Sequence, residues 1–285
     1  MKRLLVQFDT DPHPAVFDRV VAIDAGCDHL FSYGGITTEN VVSLCHGAMF
    51  TRGLQDLKST AIFIGGSDAE AGVELLKRIQ ETFFGPMRVS VMVDSNGCNT
   101  TAAAAVQCAA RHLPLGGAES VVLGGTGPVG FRAAQLLAVE GATVRLASRY
   151  IERAEAACAR LRQLVDGAKV LPAETSDEGL AATLDGAQVI IAAGAAGVQF
   201  LTGDEWRSVE SLKVLIDLNA VPPAGLQGVE PGDKATERDG IVCYGALGVG
   251  GLKMKIHKAA IEQLFSANDR VLDTVAIHRL ASELA

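Results

Sequence analysis

Aromatic residues are scarce in this chain: they make up 5% of 285 residues, with one tryptophan and three tyrosines. A core short of large rings, beside 31 glycines and runs of alanine, suits α/β packing, in which helices come close to a sheet. Long apolar runs are also missing. None approaches the ~20 residues of a membrane span, and the opening MKRLLVQFDTD turns polar too soon for the apolar part of a secretion signal. The expectation is a cytoplasmic protein with no membrane partner. Charge of one sign is nowhere concentrated; the formal charge of −8 is spread along the chain, so a nucleic-acid partner is not expected. The six cysteines, Cys27, Cys45, Cys98, Cys108, Cys158 and Cys243, form no C-x-x-C pair and have no histidine at metal-ligand spacing. Reduced, buried thiols and no metal are the reading.

What is present is an alternation. With 48% hydrophobic and 20% charged residues, the chain has enough apolar surface for a full core and enough length for two domains. LLVQF (4–8) reads as a strand, and PAVFDRVVAIDAG (14–26) as a helix with proline in its first turn. HLFSYG is a second strand, followed by TTENVVSLCHGAMF, a helix capped by Thr37 or Thr38. STAIFIGG (59–66) is a buried strand, SDAEAGVELLKRIQETFF a helix capped by Ser67, and MRVSVMVD (87–94) the strand that closes this half. ESVVLGG, ATVRLASR, AKVLPA, AQVIIAAGA and LKVLIDLNA continue as strands with helices between them, and LGVGGLKMKIHKAAIEQLF with its successor is helical. Strands regularly followed by helices predict parallel sheets wound by right-handed crossovers. No Pro/Ser-rich linker separates the halves. The expected boundary is therefore a shared helix, the one that DSNGCNTTAAAA (94–105) introduces. This gives domains over 1–98 and 99–250, with further helices over 251–285.

Gly125-Thr126-Gly127-Pro128-Val129-Gly130 is a G-x-G-x-x-G. It follows an apolar strand, opens an amphipathic helix and leads to a second strand about twenty residues on, the context of a dinucleotide-binding fingerprint. Gly125 is assigned the tight turn, Gly127 the close approach to a pyrophosphate and Gly130 the helix–strand packing. Free N–H groups at the helix start then face the anion. The next strand ends in Ala147, Ser148 and Arg149, with no acid for the ribose hydroxyls of NAD. A guanidinium at Arg149, with Ser148 beside it, suits the 2′-phosphate of NADP. NADP is favoured, with NAD tolerated.

Both halves together resemble the bacterial NAD(P)-dependent methylenetetrahydromethanopterin dehydrogenases of one-carbon metabolism. The carrying stretches are LLVQFDTDPHPAVFD, STAIFIGG, FFGPMRVSVMVDSNGCNTTAAA, VLGGTGPVGFRAA and YGALGVGGLKMKIHKA. The resemblance implies an N-terminal parallel α/β domain that binds the pterin and a Rossmann domain that binds NADP, with C-terminal helices returning to the first domain. It also implies a homo-oligomer, a trimer among the possibilities. The implied reaction moves a hydride from a methylene carbon, held between two pterin nitrogens, to nicotinamide. The product cation is stabilised by those nitrogens and no proton leaves, so positioning and electrostatics suffice. The six histidines need no catalytic role. Candidates gather at strand ends, where open α/β sheets bind ligands. Asp9, Thr10 and Asp11 follow the first strand, and Asp94, Ser95, Asn96, Asn99, Thr100 and Thr101 follow the last strand of the first half. Part of that second group is expected to cap a helix, and the surplus to grip the pterin. Ala193, Gly194 and Asn219 follow later strands on the nicotinamide side. Of the lysines after the glycine turn, Lys253 is preferred as catalytic, with Asp94, and Lys255 as substrate-binding.

Three other functions compete. A methylenetetrahydrofolate dehydrogenase uses the same chemistry and differs mainly in pterin tail and ring methyls. A shikimate-dehydrogenase-like enzyme shares the two-domain plan but needs a lysine–aspartate pair, for which only Lys58 is arguable. A non-catalytic NADP-binding redox sensor would keep the glycine loop and lose the polar rim, which here is intact.

Overall fold

The computed structural model describes residues 1–284, apart from the side chains of 177 and 178, so the last residue of the expected C-terminal segment lies outside it. The chain forms two compact units, one from 1–100 with 254–285 and the other from 101–253.

The first unit is built on β1 (Leu4–Asp9), α1 (Val16–Asp24), β2 (His29–Tyr33), α2 (Val41–Met49), β3 (Thr60–Gly65), α3 (Ala69–Thr82) and β4 (Ser90–Val93). All pairings in its sheet are parallel, with β1 between β2 and β3 and β4 beyond β3. Every residue of β3 and β4 is buried, which a parallel sheet covered on both faces requires. One face carries Val6, Phe8, Ile62, Ile64, Val91 and Val93 against the inner stripe of α3, Leu75, Leu76 and Ile79. The opposite alternation places Gln7, Asp9, Phe63 and Gly65 on the other face.

α4 (Cys98–Ala110) carries the chain from the first unit into the second. Its four alanines, Ala102 to Ala105, are fully buried, so the small side chains fit a helix enclosed all round. The second unit follows with β5 (Glu119–Leu123), α5 (Pro128–Val139), β6 (Thr143–Ser148), α6 (Ile151–Leu164), β7 (Lys169–Glu174), α7 (Asp177–Leu184), β8 (Val189–Ala192), α8 (Gly203–Arg207), β9 (Val214–Asp217), β10 (Lys234–Arg238) and β11 (Ile241–Tyr244). Its sheet order is β10-β11-β9-β8-β5-β6-β7. Read from β7 to β11, this is the dinucleotide-binding order, which reverses between β5 and β8. α9 (Ala246–Leu264) then runs back into the first unit, where a two-residue strand, Val271–Leu272, pairs with β4 and α10 (Thr274–Glu283) ends the described chain.

The strand–helix alternation and the parallel pairing agree with the sequence reading, and four details differ. α1 begins at Val16, so Pro14 lies before the helix rather than in its first turn. Thr37 and Thr38 precede Asn40, whose side chain accepts from Thr37 N–H, and α2 starts only at Val41. The cap of α3 is Asp68, which accepts from Glu70 and Ala71 N–H, and not Ser67, whose N–H and hydroxyl both donate to Asp11. β10 and β11 form an antiparallel hairpin that was not anticipated. Its turn has Asp239 and Gly240 at φ +52° and +79°, and an Asp-Gly pair is a favoured hairpin turn. Removing the α3 cap as Asp68→Ala should lower stability by about 1 kcal/mol, read as a lower urea midpoint with unchanged slope.

Candidate active site

In the second unit the chain leaves β5 at Gly124, whose φ of +69° is left-handed. This residue, rather than Gly125, makes the turn. A Cβ on Gly124 would stand 2.6 Å from Gly194 Cα and 2.7 Å from Gly194 N, so backbone meets backbone where β5 and β8 diverge. Gly125 is constrained differently: a Cβ there would meet the Leu146 side chain at 2.6 Å. Gly130 packs under the turn, its missing Cβ 2.5 Å from Gly124 O and 2.9 Å from Gly125 Cα. At Gly127 the nearest atom to a Cβ is 3.4 Å away. Packing therefore does not forbid a side chain at Gly127, and its bareness leaves the start of α5 open. Pro128 has no N–H to satisfy, while helix geometry gives those of Val129 and Gly130 no acceptor within α5. Thr126 is exposed.

Beyond β6, Ser148 is buried and its Oγ accepts from Tyr150 N–H at 3.3 Å. Arg149 is exposed with its guanidinium 6.0 Å from the centre of the Tyr150 ring, and Arg153 lies 5.1 Å from the same ring. At the end of β9, Asp217 is buried and accepts from Asn219 N–H and Leu226 N–H, both at 2.9 Å. Burial pushes its carboxyl above the ordinary range, against the pull of those N–H groups and that of Gly225. The Asn219 side chain is committed to its own loop, donating to Pro223 O and accepting from Val221 N–H. A cavity of about 550 Å³ lies in the same unit between α7 and α8, and none of the predicted residues lines it.

In the first unit the sheet order reverses between β1 and β3, and the ends of those strands are packed as tightly. Asp9 pairs in register with Gly65, and a Cβ on Gly65 would lie 3.0 Å from Asp9 Oδ2 and 3.4 Å from Asp18 Oδ2. Gly66, at φ +106°, has no room for a Cβ against the Thr10 hydroxyl. Thr10 and Asp11 line a groove of about 270 Å³ with Thr37, Thr38, Asp68 and Glu74. Thr10 Oγ1 is buried without a hydrogen-bond partner. Asp9 is not among the lining residues; its carboxylate accepts from Asp11 and Ala15 N–H at 2.9 and 3.2 Å and shapes the loop from below.

The stretch after β4 divides between cap and surface. Asp94 Oδ1 accepts from Asn99 and Thr100 N–H at 2.8 and 3.1 Å, and its Oδ2 accepts from Thr100 Oγ1 at 2.6 Å. Asn99 donates to Val93 O and accepts from Thr274 Oγ1 of α10. Ser95 Oγ donates to Gly65 O at 3.3 Å. These four side chains are buried and tie β4, α4 and α10 together. Asn96 is exposed, in the left-handed region at φ +52°, and Thr101 is half-buried. Of the two lysines on α9, Lys253 is nine-tenths buried and Lys255 exposed.

His257, dismissed on sequence with the other histidines, is fully buried one helical turn after Lys253. Its ring stacks on Phe63 at 5.7 Å and 17°, with Nδ1 3.8 Å from Asp94 Oδ2. The i, i+4 spacing from Lys253 was a readable signal, because it sets both on one helix face. All six cysteines are free and buried. Burial raises the Cys45 thiol to about 12 and those of Cys27, Cys108 and Cys243 to about 11, far from thiolate at neutral pH.

Burial also raises the Asp9 carboxyl, and the N–H groups of Asp11 and Ala15 offset this only in part. A raised folded value means that folding favours the neutral acid. That stability is present at low pH and is lost as pH rises from 3.8 through the folded value. Asp9→Asn should remove this component. The difference in unfolding free energy between variant and wild type should grow in the variant's favour over that window and then level off. Urea titrations at a series of pH values check it, and a difference independent of pH would sink the assignment.

Residues 16–96 match the family model described as methylene-tetrahydromethanopterin dehydrogenase, N-terminal. A Methylorubrum extorquens protein named bifunctional protein MdtA is 44% identical over 287 residues, covering 100% of this chain and 99% of that one. The NAD(P)-dependent methylenetetrahydromethanopterin dehydrogenase of the same organism is 35% identical, over 96% of this chain and 95% of that one. Among solved structures, quinate dehydrogenase from Corynebacterium glutamicum in complex with NAD shares the fold at a TM-score of 0.53 and 16% identity, with 99% of both chains covered. With identity at these levels running the length of both units, the chain belongs to the methylenetetrahydromethanopterin dehydrogenase family.

Proposed function

We propose that this protein is an oxidoreductase that transfers a hydride reversibly between methylenetetrahydromethanopterin and NADP, giving methenyltetrahydromethanopterin, with NAD accepted less well. The observation that carries the reading is the side-chain-free turn at 124–130, backed by Gly194, in a chain whose full-length relatives include an NAD(P)-dependent enzyme of that name. The turn fits a dinucleotide because three of its glycines are demanded by packing, whereas Gly127 is bare without such a demand. An open Cα at a helix N-terminus lets a pyrophosphate approach the N–H groups of Val129 and Gly130 and the positive end of the α5 dipole. Ser148 and Arg149 are the proposed 2′-phosphate partners. Ala193, Gly194 and Asn219 are the proposed surroundings of the nicotinamide, which when bound supplies the hydride acceptor.

For the pterin, Thr10, Asp11, Asn96 and Thr101 are the candidates with open or groove-facing positions. Asp9 supports Asp11 from beneath by accepting from the Asp11 N–H, and Asn99 and Thr100 brace the start of α4 through Val93, Asp94 and Thr274. Lys253 and Asp94 are the proposed catalytic groups. Asp94, held by two N–H donors and a hydroxyl, offers a fixed negative charge to a developing methenyl cation without moving in the reaction. Lys253 is the proposed N–H donor to a carbonyl or acidic group of the pterin. Hydride departure leaves a cation and no free proton, so the buried, unreactive thiols are not needed as acids or bases.

Purified protein mixed with methylenetetrahydromethanopterin and NADP should generate NADPH absorbance. No turnover, despite NADP binding, would sink the enzymatic reading. Arg149→Ala should lower the ratio of NADP to NAD catalytic efficiency about tenfold or more, the worth of one charge-assisted phosphate contact. An unchanged ratio would remove Arg149 from the 2′-phosphate site.

A further inference from the structure

Phe200 belongs to no motif of the sequence, yet its ring closes the back of the glycine turn. The segment after β8 ends at this residue, where the Phe200 and Leu201 N–H groups donate to Gly225 O at 2.7 and 3.2 Å. Gly225 and Leu226 are themselves held by the buried Asp217 carboxylate. The root of the side chain is thus tied to the end of β9, and the ring packs on the buried core of the unit, which includes Leu201, Trp206 and Leu226. Its far end meets Gly194: a Cβ there would lie 2.0 Å from Phe200 Cζ and 2.4 Å from Cε2. Gly194 does not need a left-handed backbone, so space alone excludes a side chain. On its other side Gly194 touches the turn glycine, Gly124.

We infer that Phe200 is a positioning residue for the proposed cofactor site, its ring pressing the Gly194 backbone against Gly124. The inference rests on the NADP reading above and adds to it a residue that never meets the phosphates. The chain of restraint runs from Asp217 through Gly225 to Phe200, then through Gly194 to the glycine turn. It couples the end of β9 to the end of β5 across β8. Without the ring, the segment after β8 can draw back from Gly124, and the floor beneath the nicotinamide half of the ligand deepens. The adenosine half, proposed to lie at Ser148 and Arg149, is untouched.

The test is calorimetric, on the full chain without pterin, with NADP and adenosine 2′,5′-bisphosphate as ligands. The bisphosphate carries the adenosine and 2′-phosphate but lacks the nicotinamide half. Gly194→Ala should raise the NADP dissociation constant about tenfold, and Phe200→Ala about fivefold, with bisphosphate binding held within about twofold. In the double variant Gly194→Ala/Phe200→Ala the new methyl group enters the space the ring has left. Its NADP affinity should equal or exceed that of Gly194→Ala alone. Phe200→Leu, which keeps apolar bulk without reaching as far as Cζ, should fall between wild type and Phe200→Ala. Losses that multiply in the double variant overturn the inference, because the two positions then act separately. A parallel loss of both ligands in Phe200→Ala also overturns it, as a general structural role predicts that result. Wild-type binding of NADP with every variant unchanged overturns the inference alone, whereas no NADP binding by wild type overturns the cofactor reading with it.

Discussion

The contact of Gly124 with Gly194 is the constraint on which the nucleotide half depends. The two residues leave adjacent parallel strands at the point where the chain turns to opposite faces of the sheet. A side chain on Gly124 would push those strand ends apart, since its Cβ would lie 2.6 Å from Gly194 Cα, and one on Gly194 would meet the Phe200 ring at 2.0 Å. The consequence is an opening walled by backbone, with the first turn of α5 aimed into it. Backbone N–H groups suit an anion there because they are fixed by the helix and carry its positive end.

The other unit solves the same problem with different residues. Its sheet also reverses, between β1 and β3, and the strand ends are again joined through glycines, here Gly65 against Asp9 and Gly66 against Thr10. Instead of bare backbone, the opening is bounded by hydroxyls and carboxylates along the groove of Thr10 and Asp11. Asp94 stands at the end of the neighbouring strand and holds the start of α4. Each unit thus presents the chemistry its proposed ligand requires: backbone donors for a pyrophosphate, side-chain acceptors and donors for a heterocycle with a cationic product.

Much of this was legible because it is local. The glycine turn follows a strand and opens a helix, and Ser148 and Arg149 follow the next strand at the expected interval. Thr10 and Asp11, singled out for their place after β1, line a groove in the first unit. What escaped was set by contacts distant in sequence. Gly124 and Gly125 are identical in composition, and only the opposing Gly194 and Leu146 distinguish the turn residue from the packed one. In the polar stretch of 94–101, Asn99 Oδ1 is taken by Thr274 and the Ser95 hydroxyl by Gly65 O, and neither partner is near in the chain. For His257 the sequence offered only the i, i+4 spacing from Lys253; its burial and its place against Phe63 and Asp94 come from other strands. The hairpin of β10 and β11 was missed although its Asp-Gly turn is a local signal.

The sequence by itself determined the alternation of strands and helices, the parallel sheets, the site of the glycine turn and the family. Periodicity, turn chemistry and motif spacing are properties of neighbouring residues. Tertiary structure alone decided which polar groups remain available. A hydroxyl or carboxylate is a cap, a brace or a ligand contact according to the donors that surround it, and those donors arrive from other strands and helices. It also decided that Phe200, an ordinary apolar residue in the chain, stands behind Gly194, because close packing lets a ring fix a backbone position six residues away.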